Sequence, residues 1–103
     1  MRVLLKVNIP VETGNAAAKA GKLGAKIQSI LADLKPEAVY FTDDNGQRAG
    51  YLFLNLADAS QIPAIAEPWM LAFNASIECH PVMVPEDLAK ASSAIKKAVK
   101  KYA

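Results

Sequence analysis

The feature that most constrains this chain is an Asn45-Gly46 pair that lies between two stretches of alternating apolar residues. Asn-Gly is favoured in two-residue type I′ hairpin loops, because both residues tolerate the positive φ angles that this turn requires. The predicted register across the hairpin pairs Asp44 with Gln47, Tyr40 with Tyr51 and Val39 with Leu52. Since side chains alternate between faces along a strand, this register assigns each residue of both strands to one face of a sheet.

Apolar periodicity places the other elements on both sides of this hairpin. Alternation predicts strands over 2–9, 38–43, 48–56 and 75–83. Apolar residues at helical spacing predict helices over 15–34, 60–73 and 85–102. Pro68 is expected to divide the second helix, because proline removes a backbone donor and disfavours helical geometry at the residue before it. Gly21 and Gly24 weaken the first helix, and a close approach to the sheet or to a partner would explain them.

This order of elements predicts an α+β fold of the ferredoxin-like type, βαββαβ with an additional C-terminal helix. Right-handed crossovers give a four-stranded antiparallel sheet with strand order 4-1-3-2. The fourth strand then lies at an edge of the sheet, where Pro81 is tolerated. The 103 residues suffice for one hydrophobic core and contain no linker, so we expect a single ferredoxin-like domain over 1–103.

The register divides the predicted sheet into two faces of different composition. The apolar face is expected to be covered by helices and comprises Val3, Leu5, Val7, Ile9, Val39, Phe41, Leu52, Leu54, Leu56, Ile77 and Cys79. The opposite face, the mixed face, comprises Leu4, Lys6, Asn8, Ala38, Tyr40, Thr42, Tyr51, Phe53, Asn55, Glu78, His80 and Val82. A solvated face needs fewer large apolar residues, and a buried core would not carry this many polar ones. We therefore expect the mixed face to meet a second copy of the chain and to enclose a partly polar cavity.

This pattern resembles the dimeric α/β-barrel superfamily, in which two ferredoxin-like sheets pack face to face. The run over 66–88 is similar to small bacterial proteins of that type, through the segments Glu67-Pro68-Trp69, Phe73-Asn74-Ala75 and His80-Pro81-Val82-Met83. The resemblance covers nearly the whole chain, and its motifs are not specific to one reaction. The superfamily includes cofactor-free monooxygenases, muconolactone isomerases, stress-responsive barrels and haem-degrading enzymes. No residue role is carried over from them, because the match to any one branch is not made residue by residue.

The mixed face also carries the residues best suited to chemistry. His80, the only histidine, lies two positions from Glu78 on the same side of a strand, where a carboxylate can orient an imidazole for acid–base work. The residues expected to bind a substrate with Glu78 are Asn8, Tyr40, Tyr51, Asn55 and Trp69. The alternatives are a His80 that is hydrogen-bonded across a dimer interface, aromatic residues that only pack, and a Trp69 that anchors the core.

Three functions fit these features. The first is a homodimeric barrel that binds a small aromatic or carbonyl-bearing molecule at the mixed face. The second is a cofactor-independent monooxygenase or isomerase with His80 as acid or base. The third is a structural or regulatory interaction module without a ligand. No phosphate-binding or dinucleotide-binding glycine motif is present, so we expect no cofactor.

Composition argues against several other classes of protein. Cys79 and His80 are adjacent and face opposite sides of a strand, so they cannot hold one metal ion together, and we expect no metal. The net charge of +2 is too small to indicate nucleic acid, and the lysines near the C-terminus have no aromatic platform among them. No stretch resembles a membrane span or a signal sequence, so we expect no membrane partner and a cytoplasmic location.

Overall fold

The computed structural model describes residues Met1–Ala103 as an α+β fold with one sheet and five α-helices. The elements follow in the order β1 (Arg2–Ile9), α1 (Val11–Lys19), α2 (Leu23–Leu34), β2 (Ala38–Asp44), β3 (Gln47–Asn55), a 3-10 turn (Ala59–Gln61), α3 (Ile62–Phe73), β4 (Ser76–Pro81), α4 (Pro85–Lys90) and α5 (Ser92–Tyr102). This arrangement is compatible with the ferredoxin-like type. None of the helices combines the length and the apolar character that a membrane crossing requires.

The four strands pair antiparallel in the order β2-β3-β1-β4, which is 4-1-3-2 when read from the opposite edge. Asn45 and Gly46 connect β2 and β3 with positive φ angles of 52° and 80°, as the turn chemistry requires. The predicted hairpin register is confirmed: Asp44 pairs with Gln47, Tyr40 with Tyr51 and Val39 with Leu52. Pro81 is the last residue of the edge strand β4, so its missing N–H interrupts no ladder inside the sheet.

The core lies between the apolar sheet face and helices α1 to α3. The central strands β1 and β3 supply most of its buried side chains, which include Val3, Leu5, Val7, Ile9, Leu52 and Leu54. Helix α3 adds Trp69 and Phe73, whose rings stack with centroids 6.3 Å apart. Phe41 was expected in this core but is 54% exposed. It belongs to the edge strand β2, and its ring lies against the backbone of Gly50.

The expected single helix over 15–34 is wrong, because two helices cover this part of the chain. Helix α1 already begins at Val11, after Pro10, and α2 follows a break at Ala20–Lys22. Gly21 adopts a φ of 70° in that break, a conformation that favours glycine. No atom lies within 4 Å of the position that a Cβ would take at Gly21 or Gly24. The expected close approach of these glycines to the sheet is therefore wrong, and their approach to a partner stays a prediction.

The second helical region also differs from expectation. Its 3-10 turn is capped by Asp58, whose side chain accepts a hydrogen bond of 2.8 Å from the backbone N–H of Ser60. Pro68 was expected to divide the helix, but it lies inside the continuous helix α3. The helix ends instead at Asn74, whose φ of 54° places it in the left-handed region.

The helix expected over 85–102 is divided at Ala91 into α4 and α5, which together form the C-terminal arm. Neither helix contributes a buried residue. The four large apolar side chains of the arm are each more than half exposed: Leu88, Ile95, Val99 and Tyr102. The molecule measures 59 × 28 × 20 Å with a radius of gyration of 17.4 Å. Compact domains of this length have a radius of gyration of about 13 Å, so the arm gives the chain an elongated shape.

Candidate functional site

The mixed face is open along both of its edge strands. On β2, Tyr40 is 65% exposed. On β4, the side chains of Glu78 and His80 are 57% and 56% exposed. Lys6, on the central strand β1, is less accessible, with 25% of its side chain exposed. The face therefore presents polar and aromatic groups on an uncovered surface.

The register aligns the mixed face in rows that cross all four strands. Tyr40, Tyr51, Lys6 and Glu78 form the central row, in the order of the strands. The neighbouring row consists of Ala38, Phe53, Leu4 and His80. The aromatic residues thus lie on β2 and β3, and the charged residues on β1 and β4. This division places an apolar platform beside a polar one on a single surface.

Five polar side chains on this face form one connected network, the polar cluster: Lys6, Asn8, Asp44, Glu78 and His80. The Lys6 Nζ lies 2.7 Å from Asp44 Oδ2 and 3.5 Å from Glu78 Oε2. Asn8 Nδ2 donates a hydrogen bond of 2.9 Å to Asp44 Oδ2. Glu78 Oε1 lies 3.3 Å from His80 Nε2. The cluster joins β1, the end of β2 and the edge strand β4.

Lys6 and Asp44 form the ion pair at the centre of the cluster. The hydrogen bond to Asp44 raises the pKa of Lys6 above its ordinary value. The hydrogen bond from Lys6, followed by the one from Asn8, lowers the pKa of Asp44 below its ordinary value. Both groups therefore remain charged at neutral pH. The lysine ammonium also lies 6.0 Å from the centroid of the Tyr51 ring, which links the charged and aromatic halves of the face.

Asn8 brings an unused acceptor to this cluster. Its Nδ2 is engaged by Asp44, whereas its Oδ1 is buried and accepts no hydrogen bond from any protein group. A buried acceptor without a partner costs stability of about 1–3 kcal/mol. Because this oxygen has almost no accessible surface, a ligand donor reaches it only if the side chains that cover it move apart.

Six of the seven predicted site residues lie on the mixed face: Asn8, Tyr40, Tyr51, Asn55, Glu78 and His80. Asn55 is at the far end of β3, where its Oδ1 accepts a hydrogen bond of 3.0 Å from the amino group of Met1. Trp69 lies in the core, 1% exposed, on a helix that covers the other face of the sheet. Of the two interpretations of Trp69, the structure therefore favours the core anchor.

Two members of the cluster were not among the predicted site residues, Lys6 and Asp44. Lys6 was assigned to the mixed face without a role. Asp44 was interpreted only as a residue beside the turn, although its even position places it on the same face as Tyr40. The confirmed register places Asp44 on the mixed face, but β3 lies between β2 and β1, so the contact with Lys6 does not follow from strand pairing.

A pocket of about 320 Å³ lies away from the mixed face, where the ends of α2 and β3 meet the start of α3. Its lining includes Asp33, Lys35, Glu37, Gln61 and Ile65. Asn55 also contributes to it, at the end of β3, although the register places this residue on the same sheet face as His80. No histidine lines this pocket, and none of the polar cluster reaches it.

No three histidine, cysteine, aspartate or glutamate side chains converge as ligands for a metal ion. Comparison of the chain with protein-family models found no match, and no curated protein matches it. The resemblance to dimeric α/β barrels therefore remains a prediction that rests on the sheet topology and on the composition of the mixed face. The chemistry of the site has to be argued from its own residues.

Proposed function

We propose that this chain forms a homodimer through the mixed face and binds a small aromatic or carbonyl-bearing molecule there. The observation that carries the proposal is the position of the polar cluster directly beside the aromatic residues of the same rows. Ligand sites commonly combine an apolar lining with a few convergent polar groups that fix orientation. On this face, Tyr40 and Tyr51 supply the apolar lining, and Lys6 and Asn8 supply the polar groups.

The groups of the cluster define what such a ligand would present. The Lys6 ammonium, held between two carboxylates, can donate a hydrogen bond to a carbonyl oxygen of the ligand. The buried Oδ1 of Asn8 would accept a hydrogen bond from a hydroxyl or amide of the ligand once the side chains that cover it move apart. An aromatic ring would stack on Tyr51, which lies next to Lys6 in the central row. A phenol or an enol-bearing carbonyl compound combines all three features.

A second copy is part of the proposal because the mixed face is open by itself. Sites for small molecules bury about 70–90% of the ligand surface, which an uncovered sheet cannot do. Two sheets that pack face to face lie about 10 Å apart, a distance that side chains and a planar ligand can fill. The partner's mixed face would therefore form the other wall of the site.

The experiment is amide chemical-shift mapping by NMR with a panel of phenols, hydroquinones and lactones. We expect shifts at residues of the central row, and Lys6→Met should weaken binding by about tenfold or more because it removes the central donor. The matched control is Lys19→Met, an exposed lysine of α1, which should leave binding unchanged. A wild-type dimer that binds none of these compounds would contradict the ligand proposal and favour an interaction module.

The contact of 3.3 Å between His80 and Glu78 favours a second candidate function, a cofactor-independent monooxygenase or isomerase. A histidine oriented by a carboxylate can remove a proton from a phenol or from a carbon beside a carbonyl group. His80→Ala should then abolish turnover of a bound compound while retaining its binding. If wild type and His80→Ala bind alike and neither turns over any hydroquinone or lactone, the enzyme hypothesis fails and the binding proposal stands.

A further inference from the structure

The chain exposes more surface than a compact protein of its mass. Its accessible surface is 6973 Å². A folded monomer of 11.0 kDa exposes about 5,600 Å² by the usual scaling with mass. The excess of roughly 1,350 Å² is larger than the 800 Å² or so that each partner buries in a standard protein–protein interface. An interface of standard size would therefore cover less area than this excess.

Every residue of the C-terminal arm except Ala91 is exposed. One side of the arm carries its large apolar residues at helical spacing, and all of them face solvent: Leu88, Ile95, Val99 and Tyr102. An amphipathic helix of 11 residues such as α5 is only marginally stable in water unless its apolar side packs against another surface. The arm therefore needs a surface to pack on.

A short connection between β4 and α4 joins the arm to the rest of the chain, the body, residues 1–84, and hydrogen bonds hold both of its ends. The backbone N–H of Val82 donates a hydrogen bond of 3.1 Å to the carbonyl of Arg2, which extends the pairing beyond β4. Two residues later, the N–H of Val84 donates one of 3.1 Å to Asp87 Oδ2 and fixes the start of α4. The arm extends from the body in this arrangement, as the 59 Å length of the molecule and the absence of buried residues in α4 and α5 show.

The charge of the arm complements that of the body. Helix α5 contains four lysines and no acidic residue, and Lys90 of α4 adds a fifth. With Glu86 and Asp87, the arm has a formal charge of +3. The body contains seven basic and eight acidic side chains, so its formal charge is −1. Two copies of the arm would repel each other, whereas an arm and the body of another copy attract.

We propose that the C-terminal arm crosses to a second copy of this chain and packs its apolar side on the body of that copy. The exchange is reciprocal, so that each copy covers part of the other, as expected for a two-fold interface. This inference rests on the homodimer of the proposed function, but it does not depend on the ligand. The apolar side of the arm is thus covered by a second copy of the same protein.

The test compares two double variants of the full-length chain with the same change in charge. Ile95→Asp with Val99→Asp alters the apolar side of α5. Ser93→Asp with Lys97→Gln alters its opposite side at the same spacing. Light scattering coupled to gel filtration should give a wild-type mass of twice 11.0 kDa. The first variant should raise the dimer dissociation constant by about tenfold or more, and the control should stay within about twofold.

A second measurement uses the otherwise unchanged chain, with the photoreactive benzoylphenylalanine in place of Ile95. Irradiation should give a covalent dimer joined to a body peptide of the other copy. If both double variants keep the wild-type dissociation constant while Tyr51→Glu on the mixed face abolishes the dimer, the arm inference fails and the sheet-face homodimer stands. A wild-type chain that is monomeric would overturn both the arm inference and the sheet-face homodimer. The same holds for a monomer whose arm binds vesicles of anionic phospholipid.

Discussion

Replacing Gly46 by alanine tests the turn on which the register of the mixed face depends. Gly46 has a φ of 80°, in the left-handed region that a residue with a Cβ occupies only at a cost of about 1–2 kcal/mol. No atom lies within 4 Å of the position of the added Cβ, so crowding should add nothing to this cost. In a domain of this length, each kcal/mol lowers the melting temperature by about 4 °C, which gives an expected loss of about 4–8 °C.

The matched control is the same substitution at Gly24, the second residue of α2. The added Cβ at Gly24 also meets no atom within 4 Å, but here the backbone is helical. Gly24→Ala should therefore leave stability unchanged or raise it by up to about 1 kcal/mol. Both variants are measured by urea and thermal unfolding followed by circular dichroism. A Gly46→Ala variant as stable as the wild type, or an equal loss at Gly24, would refute the reasoning from φ.

Three further predictions follow from burial and charge. Leu5→Ala, at a position with no exposed surface, should lower the free energy of unfolding by about 2–5 kcal/mol in urea titrations, whereas Leu71→Ala, at an 80% exposed position, should change it by less than about 0.5 kcal/mol. The pKa of Asp44 is lower in the folded chain than the ordinary carboxyl value of 3.8. Its charged form therefore stabilises the fold at pH values above 3.8, and this stabilisation is lost as the pH falls through the folded-state pKa. Asp44→Asn should accordingly flatten the acid limb of the stability profile, and an unchanged limb would contradict the role given to the Lys6 pair. Trp69→Phe should lower the free energy of unfolding much less than Trp69→Ala in the same titrations. The phenylalanine keeps most of the packing and removes an indole N–H that is buried without an acceptor.

The features that the sequence predicted correctly depend on strong local chemistry. Asn45 and Gly46 determine the turn by their tolerance of positive φ, and the alternation of β2 and β3 then determines which residues share a face. Arg2–Ile9 was recognisable as a strand because its alternation is regular and stops at Pro10. These signals need no knowledge of distant residues.

The errors in predicting the helices arise because local sequence signals were not sufficient there. The apolar pattern continues across the break at Gly21, because spacing reports which side of a helix is apolar and not whether φ changes sign between two helices. Pro68 was overestimated as a helix breaker, since the tertiary packing of Trp69 and Phe73 in the core holds α3 continuous. Phe41 was assigned to the core by its position in the alternation, which cannot tell how far the helices extend over an edge strand.

The candidate site was predictable only as far as the register allowed. The register placed His80, Glu78 and Asn8 on one face, and the structure brings them into one network. The Lys6–Asp44 pair joins residues that are far apart in sequence, so it emerges only when β2 and β1 are placed in the same sheet. The amphipathic pattern of the arm does not identify the surface on which the arm packs, because the same pattern is expected whether its own body or another copy covers the apolar side.

The central claim is that the mixed face of one copy lies against the mixed face of another. It is tested most directly by isotope-filtered NMR on an equal mixture of labelled and unlabelled chains, which detects only contacts between copies. We predict intermolecular contacts from the methyl groups of Leu4 to the rings of Tyr51 and Phe53. A chain that remains at 11.0 kDa at micromolar concentration, or a dimer without these contacts, would contradict the claim.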